Sequence, residues 1–171
     1  MPIKLHLLQL EQLKSLRAGS SQVDGYFVTP GTFSERDTVD FAIDKVKQGL
    51  SPVWHSLYLF VEEHERRAVG SGGFHDSPCN GRVELGYEVA ESYRSKGVAT
   101  DAVRLLVKAA FECPTVVEVF AQSAIGNAAS RRVLEKVGFR HIGRDDVRIH
   151  GLCDRWLLRR SVGAVVPPES P

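Results

Sequence analysis

A strand, a short basic turn and a helix follow one another in the middle of this 171-residue chain. Residues 83–89 alternate as a strand does, and residues 99–112 place apolar side chains at helical spacing. The turn between them contains Arg94, Lys96 and Gly97. The first N–H groups of a helix have no internal partners and carry partial positive charge. The arrangement therefore predicts a corner of backbone that binds an anion such as phosphate.

Two other phosphate-binding motifs are excluded. The chain contains no Gly-x-x-x-x-Gly-Lys-Ser/Thr segment, so a P-loop nucleotide site is not expected. The glycine-rich run at residues 70–73 lacks the Gly-x-Gly-x-x-Gly spacing of dinucleotide-binding turns. The corner at residues 94–99 is therefore the phosphate site that the sequence favours.

Length and composition indicate one globular domain. The chain has 43% hydrophobic and 25% charged residues, and its net charge of +1 gives no reason to expect a nucleic-acid partner. We expect a single domain at residues 1–160 and a disordered tail at residues 161–171, which are rich in proline. Neither a membrane-spanning apolar run nor a signal-peptide pattern is found, so no membrane partner is expected and the cytoplasm is the predicted location.

The cysteines argue against a metal site. Cys79, Cys113 and Cys153 lie far apart, and no Cys-x-x-Cys pair occurs. Zinc sites usually draw on closely spaced ligands, so no metal is expected. An odd number of isolated cysteines also argues against a disulfide framework and favours a reducing compartment.

Hydrophobic patterning predicts a mixture of strands and helices along the whole chain. Strands are predicted at residues 3–8, 57–62, 68–75, 82–89, 116–122, 139–142 and 152–159. Helices are predicted at residues 10–18, from Asp37 or Thr38 to Gly49, and at residues 99–112 and 127–137. The three strands between residues 57 and 89 read as an antiparallel meander. Residues 19–34 read as a long aromatic loop, either packed on the core or facing a substrate.

The spacing Arg-x-x-Gly-x-Ala at residues 94–99 resembles the signature of the GNAT family of N-acetyltransferases, in which this turn holds the pyrophosphate of acetyl-coenzyme A. A second block, from Asn127 to Gly138-Phe139, resembles the family's helix after its fifth strand. The resemblance is specific over about residues 83–143 and weaker to about residue 160. It implies the GNAT fold, an α/β architecture with a mixed, mostly antiparallel central sheet flanked by helices.

The same resemblance implies a set of coenzyme-binding residues. In the family, the splayed end of the fourth strand pairs with the pantetheine arm, and one N–H there faces the thioester carbonyl. That places Val89 at the oxyanion position with Ala90 beside it. The coenzyme-binding residues implied are Val89, Ala90, Arg94, Lys96, Gly97, Val98, Ala99, Thr100 and Asn127.

The group that protonates the departing thiolate is expected to be Ser130. Many family members carry a tyrosine seven residues after the asparagine, where this chain has Leu134. Asn127 followed by Ser130, with Gly86-Tyr87 in the preceding strand, is similar to the RimJ/RimL-type branch, in which a serine replaces that tyrosine. The other interpretation is that Ser130 is a capping or exposed hydroxyl, and that Asn127 is an ordinary helix N-cap.

The base that removes the amine proton is less well specified. Glu84 resembles the strand-four glutamate that serves as base in several family members. Glu88, His75 and a positioned water molecule are the alternatives. A protein α-amino group has a pKa of about 7.7–8.0 against about 10.4 for lysine, so an N-terminal substrate needs little help from a base.

The resemblance implies an acetyl-coenzyme A-dependent N-acetyltransferase. It would transfer acetyl to a primary amine by direct attack in a ternary complex, without a metal. The acceptor is either a protein N-terminal α-amine or a small-molecule amine. The alternative class is a catalytically silent acyl-coenzyme A sensor or interaction module. The acceptor and the oligomeric state, a homodimer included, are left open.

Overall fold

One sheet organises the part of the chain that the computed structural model describes, namely residues 2–33, 36–147 and 151–161. The strands are β1 (Ile3–Leu7), β2 (Gln22–Val23), β3 (Tyr26–Val28), β4 (Leu57–Glu62), β5 (Arg67–Phe74), β6 (Arg82–Val89), β7 (Glu118–Ala124), β8 (Arg140–Val147) and β9 (Gly151–Arg159). The helices are α1 (Leu10–Arg17), α2 (Arg36–Lys47), α3 (Pro52–His55), α4 (Val98–Glu112) and α5 (Ala128–Val137).

The main path through the sheet runs β1-β4-β5-β6-β7-β9-β8, and β2 and β3 lie off it. The neighbours on this path pair antiparallel, with the exception of β6 and β7, which are parallel. Residues 57–89 form the antiparallel meander that the sequence predicts. The α/β class with a mixed, mostly antiparallel sheet is confirmed.

Helices cover the two faces of the sheet unequally. On one face, α4 packs its apolar side against β5 and β6, where Val103 and Leu106 are fully buried. On the other face, a second cluster contains Leu13 of α1 and Val39 of α2 and covers β4 and the start of β5. Helical spacing of apolar residues explains both contacts. The opposite face of β6 and β7 is left accessible.

Two glycines in β5 make room for the ring of Phe60, the largest fully buried side chain among the described residues. A side-chain carbon at Gly72 would lie 2.6 Å from the Gly86 carbonyl oxygen and 2.7 Å from the ring of Phe60. Gly70 is equally crowded, with the same ring at 2.9 Å. Phe60 is fully buried, so its ring occupies the space that β-carbons at these positions would need.

Several boundaries differ from the sequence predictions. β7 begins at Glu118, because residues 113–116 form a turn closed by the bond from the Val116 N–H to the Cys113 carbonyl at 3.1 Å. Residues 19–34, predicted to be a loop, contain β2 and β3, and β3 pairs in parallel with the start of β5. The short helix α3 was not anticipated. The tail predicted at residues 161–171 lies outside the described residues, apart from Ser161.

Replacing Gly72 by alanine is expected to lower the free energy of unfolding by about 1–3 kcal/mol, because the new methyl group overpacks against Phe60 and a backbone carbonyl. Urea denaturation measures the change. Gly86→Ala is the matched control, since its β-carbon meets only the side chain of His75, 2.8 Å away at the exposed end of a flexible group. Equal losses in the two variants would contradict this account of the packing.

Candidate functional site

The strands β6 and β7 run side by side for only part of their length. Their register joins Arg82–Leu85 to Glu118–Ala121. β6 then continues through Val89 beside β5 alone, and β7 continues through Ala124 beside β9 alone. The two strands therefore part after Leu85, and a gap separates their final residues. This space is called the gap below.

Backbone groups of β6 face the gap. Ala90 donates its N–H to the carbonyl of Val69 in β5 at 2.9 Å. Since backbone groups alternate in direction along an antiparallel strand, those of Tyr87 and Val89 point away from β5 and into the gap. The Ala90 carbonyl accepts the N–H of Tyr93 at 2.8 Å. Of the two adjacent residues singled out from the sequence, Val89 therefore directs an N–H into the gap, whereas both backbone groups of Ala90 are engaged.

The turn before α4 forms the basic corner that the sequence indicates. Ser95 and Gly97 both have left-handed backbones, with φ of 61° and 86°. Among the described residues, the N–H groups of residues 95–100 have no hydrogen-bond partner, and the first helical bond runs from the Asp101 N–H to the Gly97 carbonyl at 3.1 Å. A side chain at position 97 would meet nothing within 4 Å. This corner, called the cradle below, has the free amides and the open space that a phosphate group requires.

The residues of the cradle contribute in different ways. Val98 buries its side chain in the core, and Ala99 and Thr100 are half-buried, so they offer chiefly their backbone amides. Arg94 donates its Nε–H to the Val89 carbonyl at 3.1 Å, and this contact holds the cradle against the end of the gap. Lys96 is exposed, with its ammonium 4.8 Å from the centre of the Tyr93 ring.

The start of α5 lies across the gap from the end of β6. Asn127 is the N-cap, and its Oδ1 accepts the Ser130 N–H at 3.0 Å. The Ser130 hydroxyl lies 2.8 Å from the Tyr87 hydroxyl of β6. Leu134, one turn further along α5, is fully buried in the core. The structure therefore brings Asn127, Ser130 and Tyr87 together at one side of the gap.

The other face of β6 carries Glu84 and His75. Side chains alternate along a strand, so Glu84 lies on the face opposite Tyr87. The Nδ1 atom of His75 lies 3.5 Å from the Glu84 Oε1. Both residues line an open cleft of about 360 Å³, whose far wall includes Phe120 and Gln122 of β7. The cleft therefore opens beside the point where β6 and β7 part.

Glu88 points toward a different neighbourhood on the same face. Its Oε1 lies 3.4 Å from the Ser71 hydroxyl, which donates to the Thr32 carbonyl at 2.7 Å. Thr32 is buried and donates its own hydroxyl to the Thr29 carbonyl at 2.7 Å. These bonds fasten residues 29–32 to β5. Glu88 therefore lies beneath this segment and is absent from the lining of the cleft that contains Glu84.

Opposite charges in the cleft are balanced. Its lining includes two acidic side chains, Asp76 and Glu84, and two basic side chains, Arg82 and Arg155. The two arginines lie 5.3 and 5.9 Å from the centre of the Phe120 ring, one on each side of it along the sheet. The cleft is therefore not a concentrated negative site for a polycation.

The β7 wall of the gap is braced by the outer hairpin. Asp154 of β9 lies opposite Ser123 of β7 in the strand register. It accepts hydrogen bonds from the Arg144 Nε–H at 2.9 Å and from the His141 ring at 3.0 Å. The hydrogen bond from Arg144, followed by that from His141, holds the pKa of Asp154 below its ordinary value. Charge pairing thus ties β8 to β9 behind the gap.

Neither a metal centre nor a membrane span is found in the described part of the chain. No group of three or more His, Cys, Asp or Glu side chains there is arranged to hold a metal ion. Over the same ranges, no helix combines the length and apolar character that crossing a bilayer requires.

Sequence reasoning gave no role to Tyr87, which the structure places against Ser130. The Gly86-Tyr87 pair was visible only as part of a family pattern. A signal was nevertheless present, because Tyr87 is the one hydroxyl-bearing residue among the otherwise apolar residues on its face of β6. A half-buried tyrosine hydroxyl favours a hydrogen-bond partner, but which residue supplies that partner depends on the packing of α5.

Comparison with known proteins identifies a family over most of the chain. The family described as "Acetyltransferase (GNAT) domain" matches residues 4–140. "Putative ribosomal N-acetyltransferase YdaF" of Bacillus subtilis (strain 168) is 37% identical over 118 residues, which are 64% of this chain and 64% of that protein. The match thus spans less than two thirds of the length of this relative. Matches to two further curated relatives from the same bacterium span 49% and 39% of their lengths.

Solved structures share the fold at low sequence identity. Ribosomal-protein-S5-alanine acetyltransferase from Vibrio fischeri has a TM-score of 0.66 at 14% identity, with 94% of each chain covered. The aminoglycoside acetyltransferase AAC(6')-Ib in complex with coenzyme A and kanamycin has a TM-score of 0.67 at 18% identity, with 93% of this chain and 95% of that chain covered. These similarities support the fold alone.

Asp154 is expected to make the stability of the protein depend on acid pH. The pKa of Asp154 is lower in the folded protein than in the unfolded chain, where it is about 3.9. Asp154 therefore adds its full share to the free energy of unfolding above the unfolded pKa. That share is lost as the pH falls through the lower pKa of the folded protein. The wild type should therefore exceed Asp154→Asn in unfolding free energy at pH 7 and lose that advantage in strong acid. Urea denaturation at several pH values measures the difference, with the exposed Asp101→Asn as the control. A difference that stays constant with pH would contradict the pairing.

Proposed function

Because the chain belongs to the GNAT acetyltransferase family, we propose that it is an enzyme that transfers acetyl from acetyl-coenzyme A to a primary amine. The observation that carries this proposal is the cradle, where the amides of residues 95–100 have no hydrogen-bond partner within the described ranges and the space beside Gly97 is open. The cradle lies at the mouth of a gap whose wall presents further free backbone groups. A diphosphate with a flexible arm and a thioester fits that pair of features.

The residues of the cradle and the gap would hold the coenzyme. The amides of Gly97 to Thr100 and the charges of Arg94 and Lys96 bind the pyrophosphate, and the side-chain amide of Asn127 is available beside the gap. Bound acetyl-coenzyme A supplies an activated acetyl group on a good leaving thiol. The Val89 N–H points into the gap, where it stabilises negative charge on the acetyl oxygen. Ala90 contributes by fixing this strand end.

Glu84 and Ser130 serve the two sides of the reaction. The cleft lets an amine approach from the face of β6 that carries Glu84 and His75, and Glu84 accepts the proton that the amine loses. Ser130 lies on the opposite side of the gap, where its hydroxyl donates to the leaving sulfur. The group that accepts the amine proton and the group that donates to the sulfur thus lie on opposite faces of β6.

The acceptor that we favour is a protein N-terminal α-amine. Polycations such as aminoglycosides or polyamines bind best to concentrated negative charge, and the cleft instead balances Asp76 and Glu84 against Arg82 and Arg155. An extended peptide carries one amine followed by carbonyl groups that arginines bind. The 37% identity to a protein named as a ribosomal N-acetyltransferase is in keeping with this choice and with the RimJ/RimL-like branch.

The compartment that we propose is the cytoplasm. None of Cys79, Cys113 and Cys153 forms a disulfide bond in the structure. Free cysteines are typical of proteins that work in a reducing environment.

Gly97→Trp is expected to abolish acetyl-coenzyme A binding while the protein stays folded. The indole fills the open space before the cradle amides, and the left-handed backbone adds about 1–2 kcal/mol of strain. Isothermal titration calorimetry measures binding, and thermal denaturation monitors folding.

Gly49→Trp is the matched control for this variant. Gly49 has φ of 80°, and a side-chain carbon there would meet nothing within 4 Å, so the substitution suffers similar strain far from the cradle. It should keep the wild-type affinity. Unchanged affinity in Gly97→Trp would refute the cradle as the coenzyme site.

Acceptor choice is tested by thiol release from acetyl-coenzyme A. The panel contains a peptide with a free N-terminus, the same peptide with a blocked N-terminus, kanamycin and spermidine. We expect turnover with the free peptide alone, increasing up to about pH 8 as the α-amine loses its proton. Turnover with kanamycin or spermidine instead would establish a small-molecule acceptor. Coenzyme binding without turnover of any acceptor would favour the sensor or interaction module.

Glu84→Gln should lower kcat by up to about 10²–10⁴-fold and leave coenzyme affinity unchanged, because a general base acts on the amine alone. Glu63→Gln, on the distant turn after β4, is the control. Full turnover in Glu84→Gln would show that Glu84 is not the base and that His75, Glu88 or a water molecule takes this role.

A further inference from the structure

Tyr87 and Ser130 form a hydroxyl pair across the gap. Their oxygen atoms lie 2.8 Å apart, although the residues are 43 positions apart in the chain. The ring of Tyr87 packs on the main core cluster, and its hydroxyl ends at the first turn of α5. Burial is the main reason that the pKa of Tyr87 is raised, and the hydrogen bond with Ser130 offsets this only in part. The phenol is therefore protonated at neutral pH.

The direction of this hydrogen bond follows from the acceptors within reach. Tyr87 is half-buried, and a hydroxyl that is partly removed from water donates its proton to an acceptor within reach, since an unpaired donor is costly. In the described structure, the acceptors near the Tyr87 hydroxyl are both on Ser130: its Oγ at 2.8 Å and its carbonyl at 3.4 Å. Tyr87 therefore donates to the Oγ atom, the nearer of the two. A hydroxyl that accepts one hydrogen bond keeps its own proton to donate elsewhere.

We propose that Tyr87 is a positioning residue that aims the Ser130 proton into the gap at the sulfur of the departing thiol. This inference rests on the proposed acetyl transfer and extends it to a residue that the sequence did not single out. The Ser130 hydroxyl could donate its proton either to the Tyr87 oxygen or to an acceptor in the gap. When Tyr87 donates to the Ser130 oxygen, Ser130 cannot donate to Tyr87, and its proton is directed into the gap.

The proton balance of the step needs no further reactant. The amine nitrogen forms the new bond to the acetyl carbon, and the electron pair of the carbon–sulfur bond departs on sulfur. The amine loses one proton to Glu84 or to water, and the thiolate gains one proton from solvent after release. Ser130 stabilises the negative sulfur by a hydrogen bond while the bond breaks. A thiol with a pKa of about 8.5 leaves readily under these conditions, so one hydrogen bond gives a moderate gain in rate.

Kinetics of Tyr87→Phe test the proposal directly. This variant keeps the packed ring and removes the hydroxyl. We expect kcat to fall roughly tenfold, the value of one hydrogen bond, with little change in the KM for acetyl-coenzyme A. Tyr58→Phe is the matched control, since Tyr58 is a core tyrosine that donates its hydroxyl to the Val53 carbonyl at 3.2 Å, away from the gap. It should leave kcat unchanged.

A double-mutant cycle separates positioning from a general effect on structure. If Tyr87 acts through Ser130, the double variant Tyr87→Phe/Ser130→Ala should be no slower than Ser130→Ala alone. Ser130→Thr retains a hydroxyl and should keep most of the dependence on Tyr87. Additive losses in the double variant, or a changed KM with an unchanged kcat, would overturn the proposal.

A titration independent of turnover distinguishes failure of this proposal from failure of the proposed function. Proteins labelled with ¹³C at the tyrosine ζ carbon report the pKa of Tyr87 by NMR, with Tyr87→Phe giving the assignment. Ser130→Ala should move this pKa upward, because the hydrogen bond from Ser130 to the phenolate is lost. An unchanged pKa would show that the two hydroxyls are not paired, whether or not any acceptor is acetylated.

Discussion

The parting of two neighbouring strands after four paired residues is the constraint on which the rest of the structure depends. β6 and β7 form a parallel ladder only from Arg82–Leu85 to Glu118–Ala121. Unpaired backbone groups inside a sheet are unfavourable unless something satisfies them. The open segment therefore needs support from both sides, and it receives this support from β5 on one side and from the β7–β9 ladder on the other.

Ion pairs and hydrogen bonds outside the candidate site hold the strands and the helix around the gap in place. Glu118 at the paired end is buried between Arg82 of β6 and Arg159 of β9, at 2.6 and 2.9 Å, and so joins three strands by charge. Arg160 donates from Nη2 to the carbonyls of Phe111 and Cys113 at 2.7 and 2.8 Å, which supplies partners for the last turn of α4. These contacts support the strands and the helix on either side of the open segment.

Local features of this fold were readable from the sequence, and features that depend on register were not. The amphipathic pattern of α4, the glycine before it and the asparagine that caps α5 are short-range signals, so these elements and the cradle were predicted. The strands β2 and β3 were missed because two- and three-residue strands have no period to detect. The contact between Tyr87 and Ser130 depends on how α5 lies over β6, and the engagement of Ala90 with Val69 depends on pairing; neither is encoded by spacing along the chain.

The short β6–β7 ladder also bears on how the two halves of the sheet are coupled. β7, β8 and β9 are joined to the N-terminal strands through four residue pairs and the helices that pack across them. A long flexible molecule lying in the gap would act as a surrogate strand, bonding to the free edge of β6 and bridging the halves. Its binding energy would then enter the unfolding free energy of the whole sheet, so the cosubstrate would also be a structural component of the fold.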